Sequence, residues 1–159
     1  MRKISVWIYV TALVVLTAYC CSFLTFEGVN GWYAKLSKPP LTPPNKVFPP
    51  VWNILYLLLI IGAGMVLSRL EHPFSAKANG WLLLQAFLQL LWCWTFFAGG
   101  MPGWGLVVLL LLDITVVQMT AIFTTISTAA GVMQIPLLIW CLFATYLNTM
   151  YVWMYGVKI

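Results

Sequence analysis

Gln85, Gln89 and Trp92 recur at i, i+4 and i+7, and Trp140, Ala144, Asn148 and Tyr151 at i, i+4, i+8 and i+11. On a helix each set occupies one face, and Trp52 and Tyr56, at i and i+4, do the same on a third segment. Three aromatic stripes, two of them carrying amides, would, if they faced one another, enclose a slot lined by flat apolar surfaces and a few hydrogen-bonding groups. Such a slot suits a large, flat, mostly apolar ligand. The competing reading is structural: amides paired between helices and rings filling the bundle core. Plain packing, however, does not require a roof over the stripes, and the sequence supplies one.

The roof is the segment from Trp32 to Tyr56, WYAKLSKPPLTPPNKVFPPVWNILY, which holds six of the nine prolines. Each proline removes an amide donor and biases its predecessor toward extended conformations, so the segment is neither a continuous helix nor a central strand. A solvated linker has no use for Trp32, Tyr33, Phe48, Trp52 and Tyr56, whose rings are costly to expose. An ordered cap over 27–50, folded onto a bundle, is the expectation.

The bundle is expected to lie in a membrane. With 63% hydrophobic and 7% charged residues among 159, and a mean hydropathy of +0.97, the chain has too little polar surface to cover a water-soluble domain. A span needs roughly 20 apolar residues, and five stretches qualify: about Ile4 to Phe26, Val51 to Leu70, Asn79 to Ala98, Trp104 to Ile126 and Val132 to Val157. The joints between the last four are short, around Glu71 to Lys77, Gly99 to Gly103 and Ser127 to Gly131, which makes sequential neighbours antiparallel. The expected fold is an all-α integral membrane protein over 1–159, a single five-transmembrane-helix bundle whose proline-rich loop caps a ligand pocket. The first stretch, although preceded by Arg2 and Lys3, lacks a small-x-small cleavage site and reads as a retained span. Positive residues divide evenly, Lys35, Lys38, Lys46 and Lys158 against Arg2, Lys3, Arg69 and Lys77, so they set no orientation. The net charge of +5 forms no dense basic stripe of the kind that binds nucleic acid.

Other reactive residues carry less. Cys20, Cys21, Cys93 and Cys141 form no CxxC or Cys/His cluster and read as small apolar fillers, and the one histidine, His72, falls in a joint, so no metal site is expected. Asp113 is the one carboxylate inside a span, expected to be protonated or hydrogen-bonded to Thr115, Gln118 or another helix.

The cap, together with QAFLQLLWCWTFF from Gln85 to Phe97, the Gly103–Trp104 pair and IPLLIWCLFATYLN from Ile135 to Asn148, resembles the translocator protein / tryptophan-rich sensory protein (TspO/MBR) family over almost the whole chain. The resemblance implies a five-helix bundle, often a homodimer, whose roofed pocket binds porphyrins and isoquinoline- or benzodiazepine-like compounds. It needs no cofactor; porphyrin is the bound ligand. By position the ligand-binding candidates are Tyr33, Phe48, Trp52 and Tyr56, then Gln85, Gln89 and Trp92, then Trp140, Ala144 and Asn148. Trp52 and Trp140 match a tryptophan pair implicated in light-driven porphyrin breakdown in bacterial members, which makes them the catalytic candidates should such turnover occur. The resemblance therefore points to a tetrapyrrole-binding sensor or regulator in a bacterial cell membrane, with a porphyrin-degrading photoenzyme and a porphyrin or sterol carrier as alternatives. Three positions depart from the family pattern: Leu41 stands for tryptophan, Gln89 for asparagine and Val108 for an acidic residue. Leu41 is expected to remove a stacking face and Gln89 to narrow the cavity. Val152, Tyr155 and Lys158 fit the loose sterol motif of animal members, a pattern that interfacial anchoring explains equally well.

Overall fold

A computed structural model describes residues 2–156, and their regular structure is helical throughout. Six α-helices follow in order: α1 (Arg2–Asn30), α2 (Phe48–Leu67), α3 (Ser75–Trp92), α4 (Pro102–Ile126), α5 (Thr128–Val132) and α6 (Ile135–Tyr155). Two 3₁₀ turns, Tyr33–Lys35 and Asn45–Val47, punctuate the cap, and α3 runs on through a π-helical turn over Cys93–Ala98. Five segments are long and apolar enough to cross a membrane, the fifth being α5 and α6 together.

Helix α1 runs on to Asn30, into the segment expected as cap, and α3 starts at Ser75 rather than Asn79; the remaining shifts lie with proline. Helix α2 begins at Phe48 rather than Val51, because Pro49 and Pro50 occupy its first turn, where no amide partner is needed. Pro102 likewise opens α4, which shortens the preceding joint. The fifth span starts earlier than expected, at Thr128, and breaks at Met133 and Gln134. Pro136 cannot donate to the carbonyl four residues back and crowds it, so the helix restarts instead of continuing.

Helix α4 is the centre of the bundle, packed on α3, α5 and α6, while α1 lies against α2, α3 and the π turn, and α2 also meets α5. Away from the cap the interior is aliphatic and closed: Leu112, Val116, Met119 and Phe123 of α4 are each 0% exposed. Gln134 is buried there too, and its Nε2 donates to the carbonyls of Ala130 at 3.2 Å and Leu58 at 3.5 Å, tying the restart of the fifth span to α2. The Arg69 guanidinium, just past α2, donates to the Ile126 carbonyl at the end of α4, where helix carbonyls lack internal partners. Asp113 takes the third of its expected partnerships, another helix: Thr145 of α6 donates to Oδ2 at 2.6 Å. Thr115 bonds its own helix, to the Leu111 carbonyl at 2.8 Å.

Candidate ligand cavity

The cap is docked. Trp32 donates its indole N–H to the Phe97 carbonyl at 2.8 Å, anchoring the start of the loop to the π turn that ends the third span. Helix α1 can approach that turn because residue 28 is glycine: a Cβ there would lie 2.4 Å from the Phe97 carbonyl oxygen. Two tyrosines of α6 hold the loop from the other side, Tyr155 donating to the Ser37 carbonyl at 3.0 Å and Tyr146 to the Pro40 carbonyl at 3.3 Å. Between these anchors Thr42 N donates to the Pro39 carbonyl at 3.2 Å, closing a turn that puts Leu41 at φ +66°. That is the left-handed region, favourable for glycine and unfavourable for leucine. Leu41 is 78% exposed and outside the cavity wall, so its departure from the family pattern bears on the turn and not on a stacking face inside.

Trp32 also sets the position of Tyr33, which folds inward, with its ring centroid 5.4 Å from that of Tyr151 on α6. Burial pushes the Tyr33 phenol above its ordinary pKa, the Tyr151 hydroxyl partly opposing the shift. A neutral O–H, donor and acceptor both, is what this corner presents.

Under the cap lies a cavity of about 360 Å³, within the range of small-molecule sites. The structure brings Tyr33, Phe48, Trp52, Tyr56, Gln89, Trp92, Trp140, Ala144 and Asn148 to its wall. Trp52 and Tyr56 stack at 5.4 Å with planes 27° apart, and Trp140 stands perpendicular to Trp52, the centroids separated by 6.4 Å. Phe48 closes the corner, 5.7 Å from Trp140. Asn148 crosslinks three helices: its Nδ2 donates to the Pro102 carbonyl at 2.7 Å, and its Oδ1 accepts a long 3.4 Å bond from the Trp92 indole. The Tyr151 hydroxyl is buried in the same wall, beside the Tyr33 phenol.

Gln85 is the exception among the ten candidates. It shares the helix face of Gln89 but sits one turn further from the cap, beneath the floor that Tyr56 forms, beside Leu59 and Leu82. Depth, and not face, removes it from the wall. Its Nε2 donates to Gln89 Oε1 at 3.1 Å and thereby orients the amide that does reach the cavity.

Sequence reasoning missed one wall completely. Helix α1 contributes Ala18, Cys21, Ser22, Thr25 and Val29, a face of mostly small side chains at helical spacing. Cys21 and Cys93, read as fillers, both border the cavity and are free thiols. The π turn adds Phe96, stacked on Trp92 at 6.0 Å, and Phe97. The spacing of Cys21 and Ser22 from Thr25 and Val29 was the available signal; their small size was the reason to look there for a cavity. Of the sterol pattern, Tyr155 is spent on the cap carbonyl, and Lys158 lies outside the described residues.

Fold and site together define a five-helix membrane protein with an aromatic cavity roofed by a docked loop. The TspO/MBR family model matches residues 9–154. The chain is 36% identical over 138 residues to the tryptophan-rich protein TspO of Archaeoglobus fulgidus, covering 85% of this chain and 87% of that one. It is 37% identical over 129 residues to the human translocator protein, covering 79% and 75%. With the tryptophan-rich sensory protein of Cereibacter sphaeroides it shares 35% identity over 117 residues, 74% of this chain and 72% of its relative. The chain belongs to the TspO/MBR family, and it is a multi-pass membrane protein.

Proposed function

We propose that the protein is a membrane receptor that binds porphyrins, such as protoporphyrin IX and related tetrapyrroles, in the cavity beneath the cap, and that occupancy serves regulation of tetrapyrrole or stress metabolism. The observation that carries this reading is the perpendicular Trp52–Trp140 pair with Tyr56 and Phe48 around a cavity beneath the cap. Flat aromatic walls give a conjugated macrocycle stacking and edge-to-face contacts on several sides, each worth about 0.5 to 1.5 kcal/mol beyond area burial. Asn148, Gln89 and the Tyr151 hydroxyl supply the few polar groups that orient a ligand in an apolar site.

A titration of intrinsic tryptophan fluorescence with protoporphyrin IX in detergent tests the reading. Saturable quenching that weakens in Trp140→Ala supports it, and the absence of saturable quenching overturns it. The two indoles also support a second reading, photo-oxidative breakdown of the bound porphyrin with dioxygen as the oxidant, in which an indole beside the excited macrocycle would serve as the electron donor that primes it. Under light, loss of bound porphyrin that depends on Trp52 or Trp140 would establish it; equal loss in variants of either tryptophan would refute it.

A further inference from the structure

The cavity wall carries amides, hydroxyls, thiols and rings but no charged side chain. One cation of the cap, Lys38, touches two residues of the wall. Its Nζ donates to Asn45 Oδ1 at 2.6 Å and stands 5.8 Å from the centroid of the Tyr33 ring, and both Asn45 and Tyr33 belong to the wall. Neither partner neutralises it: among the described residues no carboxylate lies in ion-pair range of this ammonium, whose charge is met by an amide oxygen and a ring face. Among the described residues, neither Lys35 nor Lys46, which flank it in the cap, makes such a hydrogen bond or ring contact.

The bond to Lys38 also fixes the Asn45 amide. With Oδ1 turned to the ammonium, Nδ2 is left as a donor, and among the described residues it donates to no protein acceptor. An ammonium and an amide N–H side by side at an apolar mouth form a two-point site for an oxyanion, since a carboxylate offers two oxygens and an ammonium can donate three hydrogen bonds. Neither group suits a purely hydrocarbon ligand.

We propose that Lys38 and Asn45 form a carboxylate-reading site at the cavity mouth, so that the protein selects flat apolar ligands bearing an acidic side arm over their neutral counterparts. This deepens, and rests on, the porphyrin reading, since the macrocycle occupies the aromatic wall while its carboxylate meets the rim. The Lys38–Asn45 bond links residues seven apart across the cap turn. A ligand carboxylate held by both groups therefore couples binding to the shape of the cap.

The test compares protoporphyrin IX with its dimethyl ester, by fluorescence titration of the full chain and of Lys38→Met and Lys46→Met. The rim is solvent-exposed, so the expected preference for the diacid is about fivefold. That preference should vanish in Lys38→Met and persist in Lys46→Met. A diacid preference that survives Lys38→Met, or no preference in the unsubstituted protein, overturns the carboxylate site while leaving the aromatic cavity standing. If neither compound binds the unsubstituted protein, the porphyrin reading fails and the carboxylate site fails with it.

Discussion

The two ends of the bundle solve the same packing problem differently. Away from the cap, α4 buries Leu112, Val116, Met119 and Phe123 completely against its neighbours, and helix ends are closed by Arg69 and Gln134. Toward the cap, the same five spans hold large rings apart around open space. Interiors pack at crystal-like density when nothing else is required of them. A half that departs from that density, under a loop fastened by Trp32, Tyr146 and Tyr155, is a half built to receive something.

If this contrast is correct, substitutions in the two halves should separate stability from binding. Phe123→Ala should show the largest effect, destabilising the protein by about 3 to 5 kcal/mol through cavity formation in the closed half. Thermal or denaturant unfolding in detergent measures this, and porphyrin affinity of the remaining folded protein should be unchanged. Ala144→Phe should do the reverse. Its side chain would enter the open cavity, so that affinity falls by an order of magnitude or more, while stability changes by less than the roughly 1 to 3 kcal/mol of an overpacked core.

Smaller effects sharpen the same line. Trp140→Ala removes one wall of the aromatic corner and should weaken porphyrin binding by about 0.5 to 1.5 kcal/mol, whereas Trp153→Ala, at 79% exposure on the outer surface, should leave it unaltered. Equal losses from the two substitutions would place the ligand elsewhere. The smallest effect is expected at Leu41→Gly, which relieves the left-handed backbone of the cap turn. Glycine also gains freedom in the unfolded chain, which leaves a net stabilisation of roughly 0.5 kcal/mol, read as a small rise in melting temperature.

Much of this architecture was legible before any coordinates, and unevenly so. The walls supplied by α3 and α6 announced themselves because amides and indoles at helical spacing are rare in hydrocarbon, where each polar group needs a reason. The cap was legible through its prolines and rings. The wall from α1 was not, because Ala18, Cys21, Ser22 and Thr25 carry no chemical signature, and hydrophobic periodicity loses its meaning when the surface facing lipid is as apolar as the core. Gln85 shows a further limit: spacing assigns a residue to a face of a helix but does not tell how far along that face a cavity extends. The π turn at Cys93–Ala98 adds one residue to the helical period and brings Phe96 and Phe97 to the site, a change in register with no sequence marker in this chain.

The central claim is that the cap half, and not the closed half, is the ligand site. Amide hydrogen exchange of the full chain in detergent, with and without saturating protoporphyrin IX, tests it most directly. Protection should rise in the cap over residues 32–48 and at the cap end of α6, with no change in α4 from Leu112 to Phe123. Protection confined to the closed half, or equal in both halves, would contradict the account.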